Sequence, residues 1–258
     1  MDAMILAAGL GMRLRPLTEH IPKPLVEVGG RPMLEWVARH LVEAGADRLI
    51  VNVHPHADQI IRFLQERAGF GAEVLISREV ERPLDTGGGI LAAAHYFRRD
   101  APFFIYNGDV ITGTDLAAMY RAHLADPSAL VTLAVGGRDS SRYLTFDEWG
   151  LLGYGNARTG LREQVREPRG TTRDLPFAGL HVASPALLDL FEETEAFSII
   201  MSYLRLAREG RRIVPYDIGN ALWLEVGSLD RLERAQAWAA ATDGGKKVAD
   251  GYGSFTPR

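Results

Sequence analysis

Short, nearly unbroken apolar runs alternate along the chain with segments in which apolar residues recur every three or four positions, and glycine or proline marks most of the joins. The runs at 4–7, 48–53, 72–76, 103–106 and 130–135 predict strands, because an apolar run without polar alternation suits a strand covered on both faces. The segments between them predict helices. Residues 32–44 bring Met33, Trp36, Val37 and Leu41 to one face, begin at a proline and stop at Gly45. Residues 57–65 turn Ile60, Ile61 and Leu64 inward, and 89–97 and 116–124 complete the alternation. Strand and helix in turn predict an α/β fold: a Rossmann-like, mixed and mostly parallel sheet flanked by helices.

After Gly136-Gly137 the rhythm changes. Residues 143–146, 151–154 and 161–166 read as short meandering strands separated by turn residues, so 137–182 is expected to form a small antiparallel elaboration of the same domain. Helices are predicted at 185–191, 199–208 and 228–241, and strands at 213–216 and 221–225. One domain is expected over 1–242. The stretch 243–258, rich in glycine, lysine and small polar residues, is expected to be a flexible tail.

Composition narrows the chemistry. A chain of 258 residues has room for one large domain, and its net charge of −4 argues against a nucleic-acid-binding surface. No apolar run approaches the ~20 residues of a membrane span, and the start, with Asp2 leading into a strand, does not resemble a signal peptide. The chain has no cysteine, so neither disulfides nor a thiolate nucleophile is available. A cytoplasmic location is the resulting expectation.

The chemistry concentrates at the first predicted strand. It runs into Gly9-Leu-Gly11-Met-Arg13, followed by Pro22-Lys23-Pro24-Leu25. Glycines let backbone N–H groups approach phosphate oxygens. Arg13 supplies a planar fork of donors and Lys23 a mobile point charge. The set suits a triphosphate whose α-phosphate gathers charge while pyrophosphate leaves. Leu14 stands where a dinucleotide fingerprint needs its third glycine, and the chain contains no Gly-x-x-x-x-Gly-Lys-Ser/Thr run. A second centre is Asn107-Gly-Asp109, directly after an apolar strand. A carboxylate there suits Mg²⁺, which takes one or two carboxylates together with phosphate oxygens; Glu225, in Trp223-Leu-Glu225-Val-Gly227, is the second candidate. In open α/β sheets ligands gather at the carboxyl ends of strands, where these segments fall. His54-Pro-His56 has no third partner in the sequence and reads as a turn, not a metal pair.

Leu6-Ala-Ala-Gly9-x-Gly11-x-Arg13-x-x-Pro16-x-Thr18 with Pro22-Lys23-Pro24-Leu25 resembles the signature of the sugar-1-phosphate nucleotidyltransferases, and the likeness runs from residue 4 to about 240. The resemblance implies a GT-A-like nucleotidyltransferase fold, with the elaboration on the sugar side. It implies Mg²⁺-dependent transfer of a nucleotidyl group from a nucleoside triphosphate to a sugar 1-phosphate. It makes Arg13, Lys23 and Asp109 catalytic, with Asp109 and Glu225 at the metal. Leu6, Ala8, Gly9, Gly11, Met12, Arg13, Lys23 and Asn107 would line the nucleotide, with Asp85, Thr86 and Gly87 of the Leu84-Asp-Thr-Gly-Gly-Gly89 segment reading the base through backbone groups. Three glycines just ahead of a predicted helix would let a flat base lie close. Asn107 and Gly179 would face the sugar phosphate.

The chain departs from the family pattern at three places. Glu225 replaces the usual Asp, Asp85 replaces the usual Gly, and Glu167 of Arg166-Glu167-Pro168 stands where many relatives carry a phosphate-binding Lys. The sugar-phosphate contact must then come from elsewhere, with Arg166, Arg142 and Arg173 as candidates and Glu167 beside them. The Leu84–Gly89 and Trp223–Ser228 segments are similar to those of N-acetylmuramate 1-phosphate uridylyltransferases, which favours UTP. The alternatives are a mannose or heptose 1-phosphate guanylyltransferase, a cytidylyltransferase for a phosphorylated amino alcohol, and a non-catalytic nucleotide-sugar sensor on the same fold. Retention of Arg13, Lys23 and Asp109 favours the enzyme.

Overall fold

The computed structural model describes residues 1–54, 56–138 and 140–242; the stretch expected to form a flexible tail, 243–258, lies outside them. In chain order the strands are β1 (Asp2–Leu6), β2 (Glu27–Val28), β3 (Arg31–Pro32), β4 (Arg48–Val53), β5 (Glu73–Arg78), β6 (Phe103–Asn107), β7 (Val110–Thr112), β8 (Ala129–Val135), β9 (Arg142–Phe146), β10 (Leu151–Asn156), β11 (Leu161–Gln164), β12 (Arg173–Leu175), β13 (Phe177–Ala183), β14 (Arg212–Asp217) and β15 (Trp223–Glu225). The helices are α1 (Met33–Glu43), α2 (Ala57–Glu66), α3 (Asp85–Ala92), α4 (Leu116–Leu124), α5 (Ile199–Arg208) and α6 (Leu229–Ala241). The main sheet has the order β14-β8-β13-β6-β1-β4-β5. It is mixed and mostly parallel, flanked by helices.

The chain divides into two compact units. The first comprises Met1–Pro83, Tyr106–Leu116 and the chain from Ala221; the second comprises Leu84–Ile105 and Ala117–Asn220. In the first, β4 runs parallel to both β1 and β5, with Ile5 opposite Val51 and Val51 opposite Ile76. The apolar run of β1 and β4 is buried, as the unbroken pattern predicts. A separate cluster of Leu14, Val26, Trp36, Ile111, Val226 and Leu232 ties the glycine loop, α1, β7 and α6 together. Trp36 meets Trp238 edge-on with ring centroids 5.8 Å apart.

In the second unit β14 runs parallel to β8 and β13 antiparallel to it. A four-stranded sheet, β11-β10-β9-β12, is the antiparallel elaboration. The pattern missed β13 as a main-sheet strand: residues 177–183 lie along β8, so the separate sheet ends at Leu175. The predicted helix 185–191 is a short 3-10 segment, Pro185–Asp189.

One boundary bears on the site. The third helix was expected to start at Gly89, after a glycine loop. It starts at Asp85, and Gly87, Gly88 and Gly89 are buried inside it. The reason is packing: a Cβ on Gly87 would run into the ring of Phe197, and one on Gly88 would come within 3.2 Å of the Glu195 carbonyl. Glycine is needed here for close approach rather than for an open loop.

Candidate active site

Within the first unit, the end of β1 leads into the glycine loop. Ala7 N–H donates to Asn52 Oδ1 at 2.7 Å, and Asn52 Nδ2 donates to the buried Glu79 at 2.7 Å. This chain of hydrogen bonds pins the backbone where the loop begins. Neither Asn52 nor Glu79 was singled out in the sequence; the signal was a lone Asn inside the apolar run Leu49-Ile-Val-Asn52-Val. Gly9 is exposed, with nothing within 4 Å of where a side chain would stand. Gly11 has φ +65°, and a Cβ there would meet Thr18 Cγ2 at 2.9 Å and Lys23 Cβ at 3.1 Å. Thr18 Oγ1 donates to the Gly11 carbonyl at 2.8 Å. Gly11 therefore bends the loop and makes room for Lys23 beside it. A single turn over Met12–Leu14 buries Leu14 and leaves Met12 and Arg13 exposed, the Arg13 side chain to 66 %. Leu6 and Ala8 lie on the strand end and the loop, and Ala8 is buried.

Asn107 is the last residue of β6 and is half-buried. The next residue, Gly108, donates its N–H to the Leu6 carbonyl at 2.9 Å, and a Cβ there would sit 2.8 Å from that oxygen. This approach brings the Asn107-Gly-Asp109 turn against the end of β1. Lys23 Nζ donates to Asp109 Oδ2 at 2.5 Å, and both side chains are largely buried. The antiparallel pair β7–β15 sets Glu225 opposite Val110, and Val226 N–H donates to the Asp109 carbonyl at 2.8 Å. Asp109, in the turn just before β7, and Glu225, at the end of β15, are thus neighbours across this strand pair although more than a hundred residues apart in sequence. Glu225 pairs with Arg231 and lies 3.9 Å from Arg13. Arg13, Lys23, Asp109 and Glu225 thus come together in one unit, each cation against a carboxylate.

Among the described residues no group of three or more His, Cys, Asp or Glu side chains is arranged to hold a metal. The two neighbouring carboxylates nevertheless fit a hard cation that completes its shell with phosphate oxygens. Asp109 offers one oxygen to Lys23 and retains a second; it stands in the turn before β7, and Glu225 ends β15, the strand paired with β7. His54 Nδ1 shares a hydrogen bond with the Glu79 carbonyl at 2.7 Å.

The second unit holds the other candidates. Asp85 has φ +59°, and its carboxylate accepts from Thr86 N–H at 2.6 Å. Thr86 Oγ1 accepts from Ile199 N–H at 2.9 Å, and Gly87 N–H donates to the Phe197 carbonyl at 2.9 Å. The backbone donors of Thr86 and Gly87, expected to face a base, are engaged inside the fold. Gly179 sits at a bulge in β13 with φ +81°, a conformation that favours glycine.

Arg166 corrects the reading from sequence. Its guanidinium grips Asp147 through two hydrogen bonds of 2.7 and 2.6 Å and also donates to the carbonyls of Leu151, Glu167 and Gly150. Burial would raise the Asp147 carboxyl; Arg166 and the N–H groups of Arg169, Gly150 and Trp149 outweigh it and hold the group well below the usual carboxylate range. Arg166 is a buried structural cation, so it is not presented to a sugar phosphate. Arg142, Glu167 and Arg173 are exposed, and the Arg142 N–H donates to Ser140 Oγ at 3.1 Å.

Fold and site together define a phosphate-handling α/β protein. Residues 2–149 match the family model described as nucleotidyl transferase. The chain is 32% identical over 244 residues to the N-acetylmuramate alpha-1-phosphate uridylyltransferase of Neisseria meningitidis serogroup B, covering 93% of this chain and 99% of that protein. It is 30% identical over 242 residues to the mannose-1-phosphate guanyltransferase of Saccharomyces cerevisiae, covering 88% of this chain but only 61% of that longer protein. The crystal structure of HddC from Yersinia pseudotuberculosis complexed with GMP-PN shares the fold, with a TM-score of 0.72 and 22% identity over 92% of this chain and 98% of that one. The chain belongs to the nucleotidyl transferase family, and it is a transferase enzyme of that class.

Proposed function

We propose that this chain transfers the nucleotidyl group of a nucleoside triphosphate, UTP, to a sugar 1-phosphate, with N-acetylmuramate 1-phosphate as the first acceptor to try, and releases pyrophosphate. The observation that carries the reading is the convergence in one unit of Arg13 and Lys23 with Asp109 and Glu225. The 32% identity to a uridylyltransferase over nearly the whole of both chains supports the choice of base and sugar.

In this reading an oxygen of the sugar phosphate attacks the α-phosphorus in line. A new P–O bond forms, and the bond to the departing pyrophosphate breaks. No covalent enzyme intermediate is involved; catalysis comes from positioning and charge neutralisation. Lys23 exchanges part of its contact with Asp109 for the phosphate oxygens that gather charge in the transition state. Arg13, exposed on its turn, holds the leaving pyrophosphate through its planar fork. Asp109 and Glu225 would hold Mg²⁺, and the ion would supply neutralisation of the negative charge on the nucleotide phosphates. Leu6, Ala8, Gly9, Gly11, Met12 and Asn107 line the nucleotide with backbone and small side chains. On the second unit Asp85 is the candidate for contact with the base, since the N–H groups of Thr86 and Gly87 are engaged; Arg142, Glu167 and Gly179 are the candidates for the sugar phosphate. Substrates of this kind place the enzyme in the cytoplasm.

A guanyltransferase acting on mannose 1-phosphate is the second reading, supported by 30% identity over 88% of this chain. Pyrophosphate release with Mg²⁺, measured for the common nucleoside triphosphates crossed with glucose, mannose, N-acetylglucosamine and N-acetylmuramate 1-phosphates, tests both. Release that needs UTP and N-acetylmuramate 1-phosphate together is expected. Release with GTP and mannose 1-phosphate moves the assignment to the second reading. Saturable nucleotide-sugar binding without release with any pair makes the chain a sensor.

A further inference from the structure

We infer that Arg231 is a positioning residue for the metal end of the site, acting through Glu225; the inference rests on the nucleotidyltransferase reading above. The two oxygens of Glu225 are treated differently. Oε2 accepts from Arg231 Nη1. Oε1 lies on the Arg13 side, 3.9 Å from its guanidinium. The space around Oε1 is tight: a Cβ on Gly227 would meet Oε1 at 2.7 Å and Arg13 Nη2 at 2.9 Å. Gly227 thus leaves room for this arrangement, which a side chain there would displace.

The two arginines differ in how firmly they are mounted. Arg13 projects from a single turn and its side chain is two-thirds exposed. Arg231 stands on α6, whose Leu232, Ala235 and Ala239 are buried and whose Trp238 packs on Trp36. The start of that helix is braced by a 2.5 Å hydrogen bond from Ser228 Oγ to Asp230. A triphosphate draws the exposed Arg13 onto its own oxygens. Arg231 keeps its grip on Oε2, so the Glu225 carboxylate holds its orientation when Arg13 turns to the phosphates. Glutamate carries one more rotatable bond than the aspartate of the family pattern, so its carboxylate sweeps a wider arc unless one oxygen is tied. Arg231 supplies that tie. The same logic governs groups that orient metal ligands from outside the coordination shell.

The test is Mn²⁺ binding followed by electron paramagnetic resonance, with UTP or GTP (whichever the chain turns over) and no sugar phosphate. It is paired with the Mg²⁺ dependence of pyrophosphate release and with thermal melting of each variant. Arg231→Leu is expected to raise the Mn²⁺ dissociation constant and the Mg²⁺ activation constant by about tenfold, the scale of losing such an orienting partner. The fall in kcat at saturating metal should be smaller than that rise. Arg231→Lys is expected to recover most of the difference. In a Glu225→Ala background the same replacement should add less than about twofold, because the two residues act as one unit. Arg231→Gln is read if the Leu variant does not fold. Wild-type metal constants in a folded variant, tighter metal binding, or a full effect without Glu225 would each overturn the inference. Wild-type protein that binds no Mn²⁺ brings down the metal reading itself, and this inference with it.

Discussion

In the first unit Lys23 and Arg13 stand on short turns against Asp109 and Glu225, at the ends of strands and partly open to solvent. In the second, Arg166 is sunk against a fully buried Asp147 and spends its remaining donors on backbone carbonyls. Arg205 is likewise engaged by Glu193, Glu209 and the Leu190 carbonyl. Both regions are rich in cation–carboxylate pairs, and in the proposed reading those of Lys23 and Arg13 are the ones an arriving phosphate takes over. A cation can serve a ligand only if its present partner is exchangeable. Removing a partner from a buried, fully hydrogen-bonded pair leaves an uncompensated charge, whereas a part-exposed pair opens at little cost.

The comparison can be broken most decisively at Arg166. Arg166→Ala is expected to lower folding stability by about 3–5 kcal/mol, the scale for leaving a buried charge unpaired, with the KM for sugar phosphate within about twofold of wild type. Urea unfolding and steady-state kinetics on the same preparation decide it; a stable variant with a large KM effect would return Arg166 to the ligand. Lys23→Ala should behave in the opposite way. Stability should fall less than for Arg166→Ala, since Asp109 keeps more contact with water than Asp147, and turnover should drop by about 10²–10³-fold, the scale for losing one charge-stabilising donor in the transition state. Near-normal turnover would remove Lys23 from the chemistry.

Acid titration sharpens the contrast between groups inside the fold and groups at the site. Burial drives His40 down to about 3, against raising contributions from the Thr114 carbonyl and Asp115; burial alone takes His181 to about 3. In the unfolded chain a histidine protonates near 6.5. Below that pH the unfolded state binds more protons, so stability falls as pH drops from about 6.5 towards 3, by about 1.4 kcal/mol per pH unit for each histidine. Asp147, held low, adds a loss that begins only below about pH 4 and runs through its depressed folded value. Urea midpoints measured from pH 8 to pH 4 should slope accordingly, and His40→Gln should flatten that slope; an unchanged slope would show that His40 is not neutral in the fold. The smallest effect is expected at Arg142. Its exposed guanidinium is, with that of Arg173, a remaining cationic candidate for the sugar phosphate, and Arg142→Ala should raise that KM by about two- to fivefold, as befits a solvated contact.

Much of the fold was legible in the sequence because strand and helix periodicity is local. Helices α4 and α5 match the predicted bounds, and β1, β4, β6 and β8 match within a residue or two. Strand β13 was missed because Ala178-Gly179-Leu180 mixes a bulge with the apolar run. The triple glycine was read as an open loop because composition cannot tell a glycine kept for its backbone angles from one kept because Phe197 lies against it.

The identities at the site, Gly9, Gly11, Arg13, Lys23, Asp109 and Glu225, stand in the sequence itself. Their type and spacing determined the class of chemistry, because phosphate and hard-metal binding require those donors. What the tertiary structure decided is which charge answers which. Lys23 and Asp109 meet across 86 residues, and Arg166 finds Asp147 across 19. Nothing in either local sequence distinguishes the cation proposed for the ligand from the cation consumed by the core. That choice depends on which strand ends and loops the packing brings together, and on how much water reaches the pair once they have met.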